Sequence, residues 1–335
     1  MQITILGAGG FLGRKLADRL TRQGSLGARP ITGLTLFDLA APPLPANPKF
    51  PVHSLAGDLI ALPEAAIPPG TDIVIHLAAV VSAQAEADYD LGLKVNLHGS
   101  LRVIDACRRQ VAAGGPPPRL VFTSSVASFS GGQDALLADD ARQVPANSYG
   151  AEKAAAELLL ADASRRGFLD AVLLRLPTIV VRPGRPNRAA SSFFSAILRE
   201  PLLGLETTLP VAENFAAWIA SPRRAVEWLI HAAWMGTKPL GLDRGINPPG
   251  LRATVAEMLA ALETVRPGAR ALVRPAPDPA VAAIVGTWPA GFTPRRALAL
   301  GFTPHEPLTE VIRAFIADDL AATREERGIP APSAS

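Results

Sequence analysis

The chain has 335 residues, 48% hydrophobic and 19% charged, enough for one large α/β domain plus a smaller lobe. Its formal charge is +3, carried by scattered single or paired arginines with no basic stripe among aromatics, which argues against a nucleic-acid partner. No run of about eighteen uncharged apolar residues offers a membrane span. A lone cysteine excludes an internal disulfide framework.

Met1 leads straight into an apolar strand without a secretory pattern, so a cytoplasmic protein is expected. Short runs rich in Ile, Leu and Val at 3–6, 34–37, 52–55, 73–77, 120–123 and 172–176 predict strands buried on both faces. Helices fall between them. Leu12, Leu16 and Leu20 recur every four residues, with Lys15 and Arg19 opposite; Leu93, Leu97, Leu101 and Ile104 give a second stripe. Cys107, beside Val103, Ile104 and Ala106, reads as buried filler rather than a reactive thiol. This alternation predicts an α/β fold, a Rossmann-type doubly wound parallel sheet with right-handed crossovers.

Past Leu176 the regularity fades into a Pro- and Arg-rich loop and then a helix through Phe193, Phe194, Ile197 and Leu198. Ser221 before Pro222 predicts a capped helix start, and Thr254 with Glu257 a capping box. The expected organisation is a dinucleotide-binding domain over 1–177, with about 215–237 returning to it. A C-terminal substrate lobe takes mainly 178–214 and 238–328, and 329–335 form a tail.

Gly7, Gly10 and Gly13 lie in GAGGFLG, between the first strand and the first helix. Such a turn lets a pyrophosphate approach the backbone at a helix N-terminus. Glycine turns also arise for steric reasons alone, but the position at a strand-to-helix junction favours a dinucleotide. Asp38 ends the second strand. A carboxylate there accepts from ribose hydroxyls and repels a 2′-phosphate, so it favours NAD over NADP. His76 closes the fourth strand and reads as structural.

The fifth strand ends in Thr123-Ser124-Ser125, hydroxyls at the carboxyl end of a parallel strand, where such sheets place ligands. Tyr149 and Lys153 follow as YxxxK, one helical turn apart on one face, with Asn147 or Ser148 able to cap the helix. A free phenol titrates near pH ~10. The neighbouring ammonium, the helix terminus and an oxidised nicotinamide all favour its phenolate.

The order of glycine loop, acid, Asn96-x-x-Gly99, Thr-Ser-Ser and YxxxK resembles the extended short-chain dehydrogenase/reductase superfamily. Matching Phe129 to that family's aromatic makes Ser125 the catalytic hydroxyl, with Ser124 the fallback. The resemblance implies a catalytic set of Ser125, Tyr149 and Lys153. It implies NAD contacts from Gly7, Gly10, Phe11, Leu12, Gly13, Asp38, Asp58, Leu59, Leu77, Ala78, Ala79, Asn96, Tyr149, Lys153 and Pro177. Val126 and Ala127 stand where a sugar-nucleotide dehydratase carries an Asp-Glu pair, which argues against dehydration.

Longer runs, HLAAVVSAQAEADYDLGLKVN, SYGAEKAAAELLL, RLPTIVVRPGRPNRAASSFFSAILREPL and WIASPRRAV, resemble the D-erythronate dehydrogenases. That resemblance implies NAD-dependent oxidation of the C2 hydroxyl of a small anionic sugar acid. An anion needs cations or convergent donors. Arg182, Arg185, Asn187, Arg188, Ser191 and Ser192 supply them, and Ser82, Ser125, Tyr149 and Thr178 complete the expected substrate contacts. A solvated basic loop is the bland alternative for any one arginine. Trp218 could wall the pocket or simply pack in the core. Two other readings stay open: a nucleotide-sugar epimerase of the same superfamily, and a non-catalytic NAD sensor. Whether the chain acts alone or as a homodimer is also open.

Overall fold

The computed structural model describes residues 1–131, 136–185 and 191–330. The strands that carry the architecture are β1 (Gln2–Leu6), β2 (Gly33–Asp38), β3 (Val52–Ala56), β4 (Ile73–His76), β5 (Arg119–Ser125), β6 (Asp170–Leu176), β7 (Thr178–Ile179), β8 (Ala216–Ala220), β9 (Gly245–Ile246) and β10 (Leu251–Thr254). The principal helices are α1 (Phe11–Gln23), α2 (Gly99–Ala112), α3 (Ser148–Arg165), α4 (Ser192–Leu203), α5 (Pro222–Trp234), α6 (Val255–Val265) and α7 (Leu308–Asp318).

One all-parallel sheet runs in the order β3-β2-β1-β4-β5-β6-β9. Strand order reverses between β1 and β4. Ligands of open α/β sheets bind outside the carboxyl ends of the strands at such a switch point. Gly7 and Leu77 leave β1 and β4 at that crevice.

Alternation along each strand feeds two cores. Ile3, Ile5, Ile75 and Val121 meet Leu16 and Leu20 of α1 and Val226 and Leu229 of α5 on one face. Leu6, Val74, Leu120 and Phe122 meet Val103 and Cys107 of α2 and Ala156 and Leu160 of α3 on the other. Each such side chain contributes roughly 1.5–3 kcal/mol when fully buried.

Helix α2 departs from the expected stripe. Residues Leu93–His98 form a π-helical turn that runs into α2. The wider i→i+5 turn rotates the downstream face. Leu101 is therefore exposed, and Val103, Ile104, Ala106 and Cys107 carry the buried face instead. Cys107 is buried there, and burial pushes its thiol up to about 12.

The lobe is built on β7, β8 and β10, with β7 parallel and β10 antiparallel to β8. α4, α6 and α7 close its core around Phe194, Ile197, Met258, Leu262, Ile312 and Phe315. Ser221 caps α5 ahead of Pro222, and Thr254 and Glu257 form a capping box at α6. The main sheet also takes Gly245–Ile246, from a stretch expected mainly in the lobe, as its edge strand. Most of the expected tail lies outside the described residues. Among the described residues no helix is long and apolar enough to cross a membrane.

Candidate active site

The site begins at the β1–α1 turn. Gly7 has φ +86°, and a Cβ there would lie 2.5 Å from the Ala78 nitrogen, so the turn presses against the strand end at 77–79. Asp38 finishes β2 beside it. Its Oδ2 accepts from Gly9 N at 2.8 Å and its Oδ1 from Leu39 N at 2.7 Å. Asp58 Oδ1 accepts from Ile60 N at 2.9 Å, and its Oδ2 lies 3.8 Å from Lys94 Nζ. Leu59 is buried, directly under Gly99.

The start of α3 is fastened onto the end of β5. Asn147 caps the helix by accepting from Gly150 N at 2.8 Å. A Cβ on Gly150 would lie 2.3 Å from the Ala127 carbonyl, so only glycine lets the helix come this close. That approach brings Tyr149 within side-chain hydrogen-bond reach of Ser125, which lowers the phenol's pKa. Ser125 Oγ in turn accepts from Ala127 N at 3.1 Å.

Lys153 is 1% exposed. Its Nζ donates to the Thr123 carbonyl at 2.9 Å and lies 4.5 Å over the Phe122 ring. Burial pulls its pKa down to about 8, against Glu152 and Glu157, which hold it up. Burial also pushes the Tyr149 phenol up to about 12. That value already includes the downward pull of the Arg182 guanidinium and the Ser125 hydrogen bond and the rise from Glu152. Burial thus opposes the phenolate that Lys153 was expected to favour. Lys153 gives one N–H to Thr123 and stands 5.7 Å over the Tyr149 ring, and Arg182 is a further cation that lowers the phenol's pKa.

Arg182 lies on the same cleft. Its Nε donates to the Ile179 carbonyl at 3.1 Å and its Nη2 to Ser191 Oγ at 3.1 Å. A guanidinium carries five N–H donors, so three remain without a partner among the described residues. Burial lowers its pKa to about 10, so it is a cation at neutral pH.

A cleft of about 300 Å³ joins these parts. The glycine-loop residues Gly7, Gly10, Phe11, Leu12 and Gly13 line one part, with Leu77 and Ala79. Ser125, Tyr149, Lys153 and Pro177 line the centre, and Ser82, Thr178, Arg182 and Ser191 the remainder. Asp38, Asp58, Leu59 and Ala78 stand outside its wall, as does Asn96. Asn96 is 1% exposed and holds the wall from behind. Its Oδ1 accepts from Val80 N at 2.9 Å, and its Nδ2 donates to the Val80 carbonyl at 3.1 Å and to Glu152 Oε2 at 2.6 Å. Its amide thus ties Val80 to Glu152 behind the wall. Asn187 and Arg188 lie outside the described residues, and Arg185 is exposed.

Two features escaped the sequence reading. Trp288, not Trp218, lines the cleft; Trp218 is packed with Phe129 and Phe292. Behind β5, Glu157 accepts from Ser124 Oγ, from Gln143 Nε2 at 2.9 Å and from Arg175 Nε at 2.9 Å. Arg175 interrupts the apolar strand DAVLLRL. A charge there needs a buried partner, which was the available signal. His76 is buried against Ser100 Oγ at 3.2 Å, and burial lowers its pKa to about 3.

Residues 3–215 match the NAD dependent epimerase/dehydratase family. The chain belongs to that family. Its cofactor is NAD, and the groups present fit it: a cradle at Gly7 that a Cβ would fill, Asp38 beside the loop, and the Lys153 ammonium in the cleft, held at one N–H by Thr123. The chain is 46% identical to the D-erythronate dehydrogenase of Cupriavidus necator, over 95% of this chain and 98% of the relative. It is 38% identical to the D-erythronate dehydrogenase of Haemophilus influenzae, over 96% and 100%. By these full-length relatives this family member is a dehydrogenase. Among solved structures, a nucleoside-diphosphate-sugar epimerase from Agrobacterium tumefaciens is 45% identical and superposes with a TM-score of 0.91, covering 96% of this chain and 95% of that one. A GalE-like L-threonine dehydrogenase from Cupriavidus necator, 21% identical, shares the fold with a TM-score of 0.81, covering 95% and 99%.

Proposed function

We propose that this dehydrogenase oxidises the C2 hydroxyl of a short sugar acid, D-erythronate to 2-dehydro-D-erythronate, with Ser125, Tyr149 and Lys153 as its catalytic residues. The observation that carries the reading is the presence of half-buried Arg182 in one cleft with Ser125 and Tyr149. In a 2-hydroxy acid the carboxylate carbon is bonded directly to C2. A pocket that oxidises C2 therefore needs its carboxylate donors beside its proton acceptor. Arg182, backed by Ser191, supplies charge there and N–H groups that have no partner among the described residues.

In the oxidation Tyr149 Oη takes the hydroxyl proton and Ser125 holds the same oxygen. Gly7, Gly10, Gly13 and Lys153 would hold NAD, which would supply the hydride acceptor for C2. Lys153, fixed on Thr123, keeps N–H groups for the cofactor ribose. The positive ends of Arg182 and Lys153 offset the burial that keeps Tyr149 protonated.

The epimerase reading uses the same three residues with no net turnover of NAD. The similarity in sequence to dehydrogenases over the full chain, and a cation where a carboxylate would lie, favour oxidation. Mixing the enzyme with NAD and single aldonic acids tests this. Release of NADH with D-erythronate supports it; no NADH with any four-carbon acid counts against it.

A further inference from the structure

Both main-chain groups of Arg182 are held by α4. Its N–H donates to Ser195 Oγ at 3.0 Å, and its carbonyl accepts from Arg199 Nη1 at 2.8 Å. Arg199 is 1% exposed. So deep a charge needs a partner, and Glu200 provides it, with Oε1 2.9 Å from Nε and 2.8 Å from Nη2. The other oxygen of Glu200 accepts from Arg327 Nη1.

Arg327 directly follows the helix Leu320–Glu326, and that helix grips the same loop. Gly184 N donates to Thr323 Oγ1 at 3.3 Å, and Arg324 Nη2 donates to the Leu202 carbonyl at 3.0 Å. A chain of alternating charge thus runs from the C-terminal helix through Glu200 and Arg199 to the peptide of Arg182.

We infer that this chain is a substrate-positioning relay: Arg327, Glu200 and Arg199 set the height of Arg182 in the cleft, so the C-terminal helix takes part in recognising the substrate carboxylate. The inference rests on the reading of Arg182 as the carboxylate clamp. A guanidinium that pairs with a carboxylate in a forked geometry tolerates little displacement. Among the described residues, the peptide of Arg182 is held through its main chain by Ser195 and Arg199. Cutting the relay lets the peptide shift while the guanidinium stays in the cleft.

The test uses the full-length enzyme with NAD and compares Arg327→Ala, Arg327→Lys, Arg199→Met and Arg182→Ala. Arg327 is at the surface end of the relay, so its variants keep the buried core intact. Michaelis constants for D-erythronate are read beside NAD affinity and melting temperature. Arg327→Ala is expected to raise the constant for D-erythronate about tenfold, below the ~100-fold that misplacing a reacting group by an ångström can cost. Arg327→Lys should recover most of that loss, because an ammonium can still pair with Glu200. NAD affinity should stay within about twofold in both, since only substrate binding is disturbed. If Arg182→Ala raises the constant while Arg327→Ala and Arg199→Met leave it unchanged, the relay is overturned and the clamp stands. An unchanged constant in Arg182→Ala overturns the clamp itself and the relay with it. Equal losses of acid and NAD affinity in Arg327→Ala would make the relay a general fold contact and also overturn it.

Discussion

Asp38 Oδ2 accepts the Gly9 N–H at 2.8 Å, so the carboxylate placed to meet the ribose also shapes the loop placed to meet the pyrophosphate. Asp38→Ala removes both at once. It should narrow the preference for NAD over NADP, because a negative charge facing a 2′-phosphate is gone. It should also weaken both cofactors, because Gly9 loses its acceptor. Michaelis constants for the two cofactors check this; an unaltered ratio would detach Asp38 from cofactor choice.

Tyr149→Phe removes the proton acceptor while leaving the ring that packs beside Lys153. Turnover should fall by roughly the 10²- to 10⁴-fold typical of a positioned acid–base group, with NAD affinity little changed. Turnover within a few fold of the native enzyme would move the chemistry elsewhere.

Arg182→Met should act twice. Loss of one charge-assisted hydrogen bond costs about 1.5–3 kcal/mol and should appear as a higher Michaelis constant for the acid. Arg182 also pulls the Tyr149 phenol down, against a burial that leaves it raised to about 12. Removing a cation disfavours the phenolate, so the rising limb of the turnover–pH curve should move to higher pH. Turnover at saturating acid, measured across pH, reads the second effect separately from the first. A limb that stays put would show that Arg182 does not act on the phenol.

His76 gives a stability prediction. Burial lowers its pKa from the ordinary 6.5 to about 3, so below pH 6.5 the unfolded chain takes up a proton that the folded chain refuses. The contribution of His76 is present above pH 6.5 and is lost as the pH falls toward 3. His76→Gln should flatten the fall in melting temperature across that window. A parallel fall in both proteins would place the acid sensitivity in other groups.

The strands were legible because each is a compact apolar run closed by turn residues, and parallel strands buried on both faces leave that signature. Gly7, Tyr149 and Lys153 were legible for a different reason: their spacing follows from a turn and a helix repeat. Leu101 misled because a π turn is invisible to a pattern with a fixed helical period. Trp288 lies 135 or more residues from Ser125, Tyr149 and Lys153 and joins them only through the folding of the lobe. The burial that opposes the Tyr149 phenolate, and the part of Arg182, were out of reach for a similar reason. Sequence spacing showed Lys153 one turn away, but not that its ammonium is held by Thr123 or that Arg182 arrives from the lobe.

The central claim is oxidation of a 2-hydroxy sugar acid, read by Arg182 and deprotonated by Tyr149. Its most direct test is the rate of NADH formation from D-erythronate set beside that from erythritol, the uncharged four-carbon alditol. The same pair is then run on Arg182→Ala. The account predicts rapid NADH release with the acid, little with the alditol, and a gap that shrinks by about one to two decades in the variant, the equivalent of one charge-assisted hydrogen bond. Equal rates on acid and alditol in the native enzyme, or no free NADH with either, would contradict it.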